Sequence, residues 1–395
     1  MRTPDSPGSI NNNRCFRRVP TVTLSPDTQT GSQHSIRFVI PRLSNKNPQK
    51  RERRFSYKVL IYCFLITTIV GCQSSSHPEK DPLSANHEEA TARTDSLQVI
   101  NFLPYWVANA QFAGYYMAIE TGIYEKHGIK LNLIPYQPFI TPKDMLREGK
   151  ADFAALWLVN ALEMKASGVD IVNIAQPSSR SSLMLITKKA SGIETLAQMD
   201  GKKAGIWSGY ELQPQALFRK NKLKVEIIPI GSTNNLFLMD GVDITIANWF
   251  DEYHTILNSG LKEEEINTFF FADYGLNFLE DGIYCTSELR NHNPELCKAF
   301  VDATLEGWNY AFEHQEQTLD VVIKYAKASK LPVNRIHQQW MLDRYRDLYA
   351  PEKDKDFNTI LPQADYEAVG NVLLESGLIN FIPSYNDFYK PVIRR

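Results

Sequence analysis

The chain has 395 residues, of which 43% are hydrophobic and 22% charged, which suits two or three folding units and excludes a largely disordered chain or a multi-span membrane protein. Its net charge is −2, but residues 1–58 carry 12 Lys and Arg against 3 Asp and Glu, and the rest carries 31 against 42. An acidic body lacks the basic footprint of nucleic-acid binding, so no nucleic-acid partner is expected.

The first 96 residues are predicted to direct export. Residues 1–50 are polar and predicted to be a disordered extension. A basic cluster at 51–58 precedes the uncharged segment 59–70, which as ~18 Å of helix is too short for a ~30 Å hydrocarbon core and is typical of a signal peptide. Gly71-Cys72 ends a stretch that resembles a bacterial lipobox, so Cys72 is predicted to be lipidated and 72–96 to be a flexible tether. The protein is therefore expected outside the cytoplasm, lipid-anchored to the membrane.

From residue 97 onward, short apolar runs alternate with amphipathic segments, which predicts an α/β fold with mostly parallel sheets flanked by helices. The predicted strands are 97–103, 129–134, 153–156, 171–175, 203–207, 225–230, 243–247 and 282–285. Helices are predicted at 109–120, 141–148, 160–167, 211–220, 251–259, 293–313, 315–329, 333–349 and 363–376. Cys285 and Cys297 are expected to be buried structural thiols, and the histidines have no metal-ligand spacing, so neither a metal nor an organic cofactor is predicted.

Four tryptophans lie at or just beyond the ends of predicted strands: Trp106, Trp157, Trp207 and Trp249. Ligands of open α/β sheets bind at this edge, and although core packing is the more common role of any single tryptophan, four at equivalent edges favour a ligand site. Flat aromatic faces with a few polar groups suit a planar heteroaromatic ligand.

The segment 103–129 (LPYWVANAQFAGYYMAIETGIYEKHGI) resembles the opening of the substrate-binding proteins that serve importers of thiamine pyrimidine precursors, alkanesulfonates, nitrate and riboflavin. Segments 149–153, 168–175, 272–278 and 293–308 agree with the same group. The resemblance implies a two-lobed, type II periplasmic-binding-protein fold in which the chain crosses between lobes near 182–188 and 274–284. Lobe one would comprise 97–185 and 284–395, and lobe two 186–283.

The resemblance also implies a function. The protein is expected to act, as a monomer, by capturing a small solute similar to a thiamine pyrimidine precursor and delivering it to an ABC permease with its ATPase. Two alternatives stay open: a tethered ligand-sensing domain of a signalling system, and binding of a sulfonate- or nitrate-type anion, for which Arg180 is the cationic candidate.

The same superfamily contains a pyrimidine synthase that consumes its own histidine and bound pyridoxal phosphate. The positions of its lysine and histidine correspond here to Leu156 and Asn160, and only Cys285 falls where that enzyme has a cysteine-rich motif. Because leucine cannot form a Schiff base, the chain is expected not to be an enzyme and has no predicted catalytic residue.

The expected ligand-binding residues come from both lobes and from the second crossing. Lobe one would supply stacking rings and helix-start donors, and lobe two and the crossing would supply polar groups. Glu252 is the expected acceptor for ligand N–H groups, although a carboxylate at a helix start is also simply favoured by the helix dipole. The complete set is Trp106, Asn109, Trp157, Tyr210, Asn248, Trp249, Glu252, Tyr274 and Glu280.

Overall fold

The structure is a computed structural model that describes residues 97–351 and 357–392. The predicted disordered extension, the signal peptide, Cys72 and the whole tether lie outside these ranges. No helix within them is long and apolar enough to cross a membrane. Ten strands are present: β1 (Gln98–Leu103), β2 (Ile129–Leu133), β3 (Phe153–Leu156), β4 (Val172–Ala175), β5 (Leu183–Lys188), β6 (Lys203–Trp207), β7 (Glu226–Ile230), β8 (Ile244–Asn248), β9 (Ile266–Phe270) and β10 (Gly282–Cys285).

Helices cover the faces of both sheets. They are α1 (Ala113–Glu120), α2 (Ile123–Lys126), α3 (Pro142–Arg147), α4 (Leu158–Ala166), α5 (Leu212–Lys220), α6 (Asn235–Leu238), α7 (Glu252–Asn258), α8 (Ser287–His292), α9 (Pro294–Glu313), α10 (Gln315–Ala328), α11 (Arg335–Tyr349), α12 (Gln363–Glu375) and α13 (Tyr385–Phe388). Short 3₁₀ turns occupy 110–112, 189–191, 196–199, 263–265 and 271–274.

The strands form two five-stranded sheets with the same design. Sheet one has the order β2-β1-β3-β10-β4, and β10 alone runs antiparallel to its neighbours. Sheet two has the order β7-β6-β8-β5-β9, and there β5 is the antiparallel strand. We call the parts built on these sheets the first and second lobe. The predicted α/β class, with two mostly parallel sheets flanked by helices, is confirmed.

The chain passes from sheet one to sheet two through residues 176–182 and returns before β10. The first passage lies a few residues earlier than the sequence predicted, because 183–188 is a strand paired over its length with β8 and β9. The residues Leu183–Thr187 are all buried, which explains why this segment joins a sheet instead of acting as a hinge. The helix α12 packs on α4 and on α5, one helix from each lobe.

The first lobe is held by a close crossing of α1 and α9. A Cβ atom on Gly114 would lie 2.3 Å from Cγ of Trp308, and one on Gly307 would lie 2.3 Å from the carbonyl oxygen of Gly114. Only glycine permits this approach. Cys297 is a buried free thiol of α9, as is Cys285 in β10. The crossing fixes α1 and thereby the segment 104–112, which enters the site described next.

Candidate functional site

A cavity of about 530 Å³ lies between the two sheets, a volume in the range of small-molecule sites. Its walls come mainly from segments that follow the carboxyl ends of parallel strands, where ligands of α/β sheets bind. The lining residues are Pro104, Tyr105, Trp106, Gln111, Tyr136, Ala155, Leu156, Trp157, Asn160, Trp207, Ser208, Tyr210, Pro229, Ile230, Gly231, Ser232, Asn248, Phe250, Asp251, Glu252 and Asp281.

Aromatic rings from both lobes form much of the wall. In the first lobe, the ring of Trp106 lies 5.3 Å from that of Tyr136, and Trp106 is 42% exposed. Trp157 of the first lobe meets Tyr210 of the second lobe edge-on, with ring centroids 5.3 Å apart. Trp207 contacts the same tyrosine at 5.6 Å. Tyr210 thus stands between two indoles, and this aromatic contact bridges the cleft.

Tight local backbone geometry presents these rings. Trp157 directly follows β3 in an extended conformation and is the N-cap residue of α4. Gly209 has φ +90°, which only glycine adopts readily, and it turns the chain between β6 and Tyr210. Tyr105 has φ +53°, unusual for a residue with a side chain. Strained conformations of this kind are found preferentially at functional sites.

Two adjacent carboxyl groups follow β8 at the second-lobe wall. Oε2 of Glu252 accepts the backbone N–H of Asn248 at 3.0 Å. Burial, and then the charge of Asp251, raises the pKa of Glu252 to about 8. Oδ1 of Asp251 lies 2.9 Å from Nε2 of His337. In the ligand-free protein near pH 7 the Glu252 carboxyl is therefore mostly protonated, and it can accept or donate a hydrogen bond to a ligand.

A third carboxyl group, that of Asp281, reaches the cavity from the first lobe. It accepts hydrogen bonds from Nε2 of Gln111 at 2.9 Å and from the hydroxyl of Tyr345 at 2.7 Å. Burial raises the pKa of Asp281 to about 6. The two donors fix the position of this carboxyl group. Asp281 also has φ +55°, a strained backbone conformation of the kind found at functional sites.

The structure brings five of the nine predicted ligand-binding residues to this one cavity: Trp106, Trp157, Tyr210, Asn248 and Glu252. Asn109 is not among the lining residues, because its side chain caps the 3₁₀ turn by accepting the N–H of Gln111 at 3.0 Å. Trp249 also lies outside the lining set. Its backbone oxygen accepts the indole N–H of Trp340 at 3.0 Å, and its ring faces the guanidinium of Arg344.

Tyr274 and Glu280 likewise do not line the cavity. The backbone oxygen of Tyr274 accepts from Nζ of Lys220 at 2.8 Å, and its ring packs on the core shared by the two sheets. Glu280 is 3% exposed, and its carboxyl group accepts from the Ser181 hydroxyl at 2.8 Å and the Ser182 N–H at 3.1 Å. Burial raises the pKa of Glu280 to about 8. It therefore ties the two crossing segments together.

Sequence reasoning did not select several lining residues that supply polar groups or rings. Gln111 lies inside the segment 103–129, but the sequence favours Asn109 there, because Asn109 begins a predicted helix. Asp251 and Asp281 belong to acidic pairs, which commonly mark solvated turns. Tyr136 follows β2 in a stretch with no periodic pattern, so no sequence signal pointed to it.

Comparisons with known proteins identify the family. The family model described as "NMT1/THI5 like" matches residues 109–318, which is more than half of the chain and includes residues from both walls of the cavity. The chain belongs to this family. Among the described residues, no group of three His, Cys, Asp or Glu side chains is placed to hold a metal ion.

Relatives and solved structures extend this result. The riboflavin-binding protein RibY of Chloroflexus aurantiacus is 22% identical over 69% of this chain and 80% of its own length. The formylaminopyrimidine-binding protein of Halalkalibacterium halodurans is 19% identical over 70% of this chain and 82% of its own. The periplasmic aliphatic sulphonate-binding protein SsuA of Escherichia coli has a similar fold, with a TM-score of 0.58 and 15% identity over 75% of this chain and 92% of its own. The family assignment and the periplasmic-binding-protein fold therefore agree with the sequence analysis.

Proposed function

We propose that this protein captures a small, planar heteroaromatic solute with N–H donors, of the thiamine pyrimidine precursor type, and delivers it to an ABC permease. The main support is a single cavity between the two lobes, which combines aromatic rings from both lobes with the carboxyl groups of Asp251, Glu252 and Asp281. Rings of this kind stack on a planar ligand, and carboxyl groups pair with exocyclic amines.

The protonation behaviour of Glu252 supports an aminopyrimidine. Because its pKa is about 8, this carboxyl group can give up its proton at modest cost near neutral pH, and the resulting carboxylate accepts N–H bonds from an exocyclic amine. Gln111 and Asn248 add amide groups near the same surface. A ligand with an amidine-like edge would satisfy these groups together.

The cavity chemistry argues against a sulfonate or nitrate, although a sulfonate-binding protein shares the fold. Anion sites need Arg, Lys or an N-terminal helix dipole. Neither Arg nor Lys lines the cavity among the described residues, whereas three carboxyl groups do. Arg180, the cationic candidate of the sequence analysis, forms an ion pair with Asp273 at 2.7 Å and is not a lining residue.

Binding without catalysis is supported at the two positions that a synthase would use. Leu156 and Asn160 both line the cavity. An alkyl side chain cannot form a Schiff base, and an amide cannot replace an imidazole in acid–base chemistry. Relatives named as binding proteins point in the same direction.

The experiment for the ligand is mass spectrometry of the small molecules that denaturation releases from the purified protein. We expect an aminopyrimidine or a related fused heteroaromatic compound. Calorimetry then compares a formylaminopyrimidine with an alkanesulfonate of similar size. Preferential binding of the sulfonate would contradict the proposed ligand class.

We further propose that the protein works outside the cytoplasm as a lipoprotein anchored through Cys72. The support is the basic cluster, the short apolar segment and the lipobox-like residues that precede Cys72. In membrane fractionation, Cys72→Ser should release the protein or leave an unprocessed precursor, while Cys63→Ser, inside the apolar segment, should not. Unchanged membrane association and mobility of Cys72→Ser would refute the anchor.

A further inference from the structure

One face of α11 reaches from the first lobe to the second. The helix is anchored in the first-lobe core by Leu342 and Tyr345, which are 0% and 1% exposed. His337, Trp340 and Arg344 follow one another at intervals of three and four residues, so they share a face of the helix. That face packs against the second-lobe segment that follows β8, which distinguishes it from the rest of the helix.

Two histidines meet at the start of this contact. Nε2 of His337 lies 2.9 Å from Oδ1 of Asp251, and Nδ1 of His337 lies 2.9 Å from Nδ1 of His254 in α7. The ring of His254 also stacks on that of Trp340, with centroids 4.8 Å apart and planes within 2°. His254 is 8% exposed, so the pair is largely shielded from water.

The other two residues of the face hold the neighbouring tryptophan. The indole N–H of Trp340 donates to the backbone oxygen of Trp249 at 3.0 Å. The guanidinium of Arg344 lies 4.5 Å from the ring centroid of Trp340 and 4.8 Å from that of Trp249, in cation–π contact with both. The segment 249–254 is therefore held by a first-lobe helix at its backbone and at its side chains.

These contacts lie directly behind the ligand cavity. Asp251 and Glu252 line the cavity, whereas His337, Trp340 and Arg344 do not. Substitution of any of these three α11 residues is therefore expected to change ligand affinity by moving the second-lobe wall.

We propose that His337, Trp340 and Arg344 form an interlobe clasp that positions Asp251 at the ligand cavity and opens when protonation of His254 breaks the contact between the two histidine rings. The inference rests on the proposed function, since it assigns a regulation to the same binding site. His337 acts as a positioning residue and does not touch the ligand.

The protonation argument follows from the two facing nitrogens. A hydrogen bond between two Nδ1 atoms needs one protonated and one bare nitrogen, so the pair can hold one shared proton but not two. Burial, and then the neighbouring His337, lowers the pKa of His254, while Asp251 opposes this. Two histidines in contact therefore bind fewer protons than two separated histidines. Lowering the pH thus favours separation of the rings and opening of the clasp.

Several other charged and polar groups lie near the His254–His337 pair. Glu252 is next to Asp251 in the chain, and Asn258 of α7 contacts Nδ1 of His254 at 3.2 Å. Arg344 lies over the Trp340 ring, with its guanidinium carbon 4.5 Å from the ring centroid. Glu263 interacts with Tyr253. Since the cavity carboxyl groups of Glu252 and Asp281, with pKa values of about 8 and about 6, titrate as well, the clasp must be tested by a difference between variants and not by the wild-type pH profile alone.

The first test is calorimetry with a formylaminopyrimidine at pH 7.5 and pH 5.5. His337→Ala should bind about tenfold more weakly at pH 7.5, as expected for loss of a hydrogen bond to a charged group. His337→Gln keeps an N–H donor for Asp251 but has no ring nitrogen facing His254, so it should bind like wild type at pH 7.5 and lose less affinity at pH 5.5. His127→Gln, at a histidine paired with Glu306, is the matched control and should keep the wild-type profile. Wild-type affinity of His337→Ala at both pH values would overturn the clasp.

The second test needs no ligand and separates the clasp from the proposed function. In NMR titrations of the ligand-free protein, His337→Gln should raise the pKa of His254, because the ring that lowers it is gone. An unchanged His254 titration would overturn the clasp. If the probe fails to bind wild type while the His254 shift is observed, the proposed ligand is wrong and the clasp is supported.

Discussion

The two walls of the cavity are held in different ways. The first-lobe wall is fixed within its own lobe and at its hinge: Asp281 is bound by Gln111 and Tyr345, and α1 is locked by its crossing with α9. The second-lobe wall, 248–252, follows the end of β8, and its outer contacts come from α11 of the other lobe. We therefore expect the first wall to be organised without closure of the lobes, and the second to depend on closure. Substitutions in the first-lobe wall should alter direct contacts with the ligand. Substitutions behind the second-lobe wall should alter closure of the lobes.

The largest expected effect comes from the aromatic residues of the pre-organised wall. Trp106→Ala and Trp157→Ala should each weaken binding by ~1–3 kcal/mol, as judged from base–aromatic stacking. Trp157→Ala should cost more, because it also removes the partner of Tyr210 across the cleft. Calorimetry with the identified ligand measures both.

Phe139→Ala is the control for this pair of variants, since Phe139 is 97% exposed and does not line the cavity. It should bind like wild type. Full affinity in both tryptophan variants would remove the stacking wall from the proposal.

Glu252→Gln tests the wall that depends on closure. The pKa of Glu252 is about 8 in the free protein, and an amine-bearing ligand prefers the carboxylate, so binding releases a proton. Wild-type affinity should therefore rise with pH between about 6 and 8, whereas the variant should lose most of this rise. At pH 8 the variant should bind more than about tenfold more weakly, because a charge-assisted acceptor becomes a neutral one.

The same measurement on Glu194→Gln, an exposed second-lobe carboxylate outside the cavity, serves as the control. Glu252→Gln with wild-type affinity at pH 8 would refute the acceptor role. Any pH dependence that remains in Glu252→Gln below neutral pH is expected to be smaller in the double variant with His337→Gln, and the remainder is assigned to Asp281, whose pKa is about 6.

Glu280→Gln tests the connection between the walls. Burial raises the pKa of Glu280 from 4.5 to about 8, so folding takes up a proton between these values. The contribution of this carboxyl group to stability is complete below pH 4.5 and is lost as the pH rises toward 8, by at most about 1.4 kcal/mol per pH unit. The variant removes the buried charge, so it should match wild type near pH 5 and be more stable by ~1–2 kcal/mol near pH 7. Denaturant unfolding at the two pH values checks this, and equal pH slopes in both proteins would contradict it.

The sequence predicted the architecture better than the directions of side chains. Period-two and helical patterns locate the strands and helices, and strand ends predict the edge of the cavity. Trp106 and Trp249 both follow strands, yet Trp106 lines the cavity and Trp249 packs under Arg344. The difference is made by α11, whose contact with the second lobe joins residues about 90 positions apart in the chain. No local pattern in 248–252 contains that information, and the same holds for Asp281, whose partners are distant in sequence.

The smallest expected effect concerns Asn109, for which sequence and structure suggest different roles. As a ligand donor it would affect affinity, but in the structure it is 7% exposed and its side chain caps the turn that presents Gln111. Asn109→Ala should cost about 1 kcal/mol of unfolding free energy, as for other lost caps, with only a small change in affinity. Asn109→Asp retains an acceptor oxygen for the Gln111 N–H, so it should recover most of the lost stability. Unfolding and calorimetry on both variants separate the roles: a loss of affinity in Asn109→Ala at unchanged stability would return Asn109 to the ligand site and weaken the view that the first-lobe wall is organised by its own hydrogen bonds.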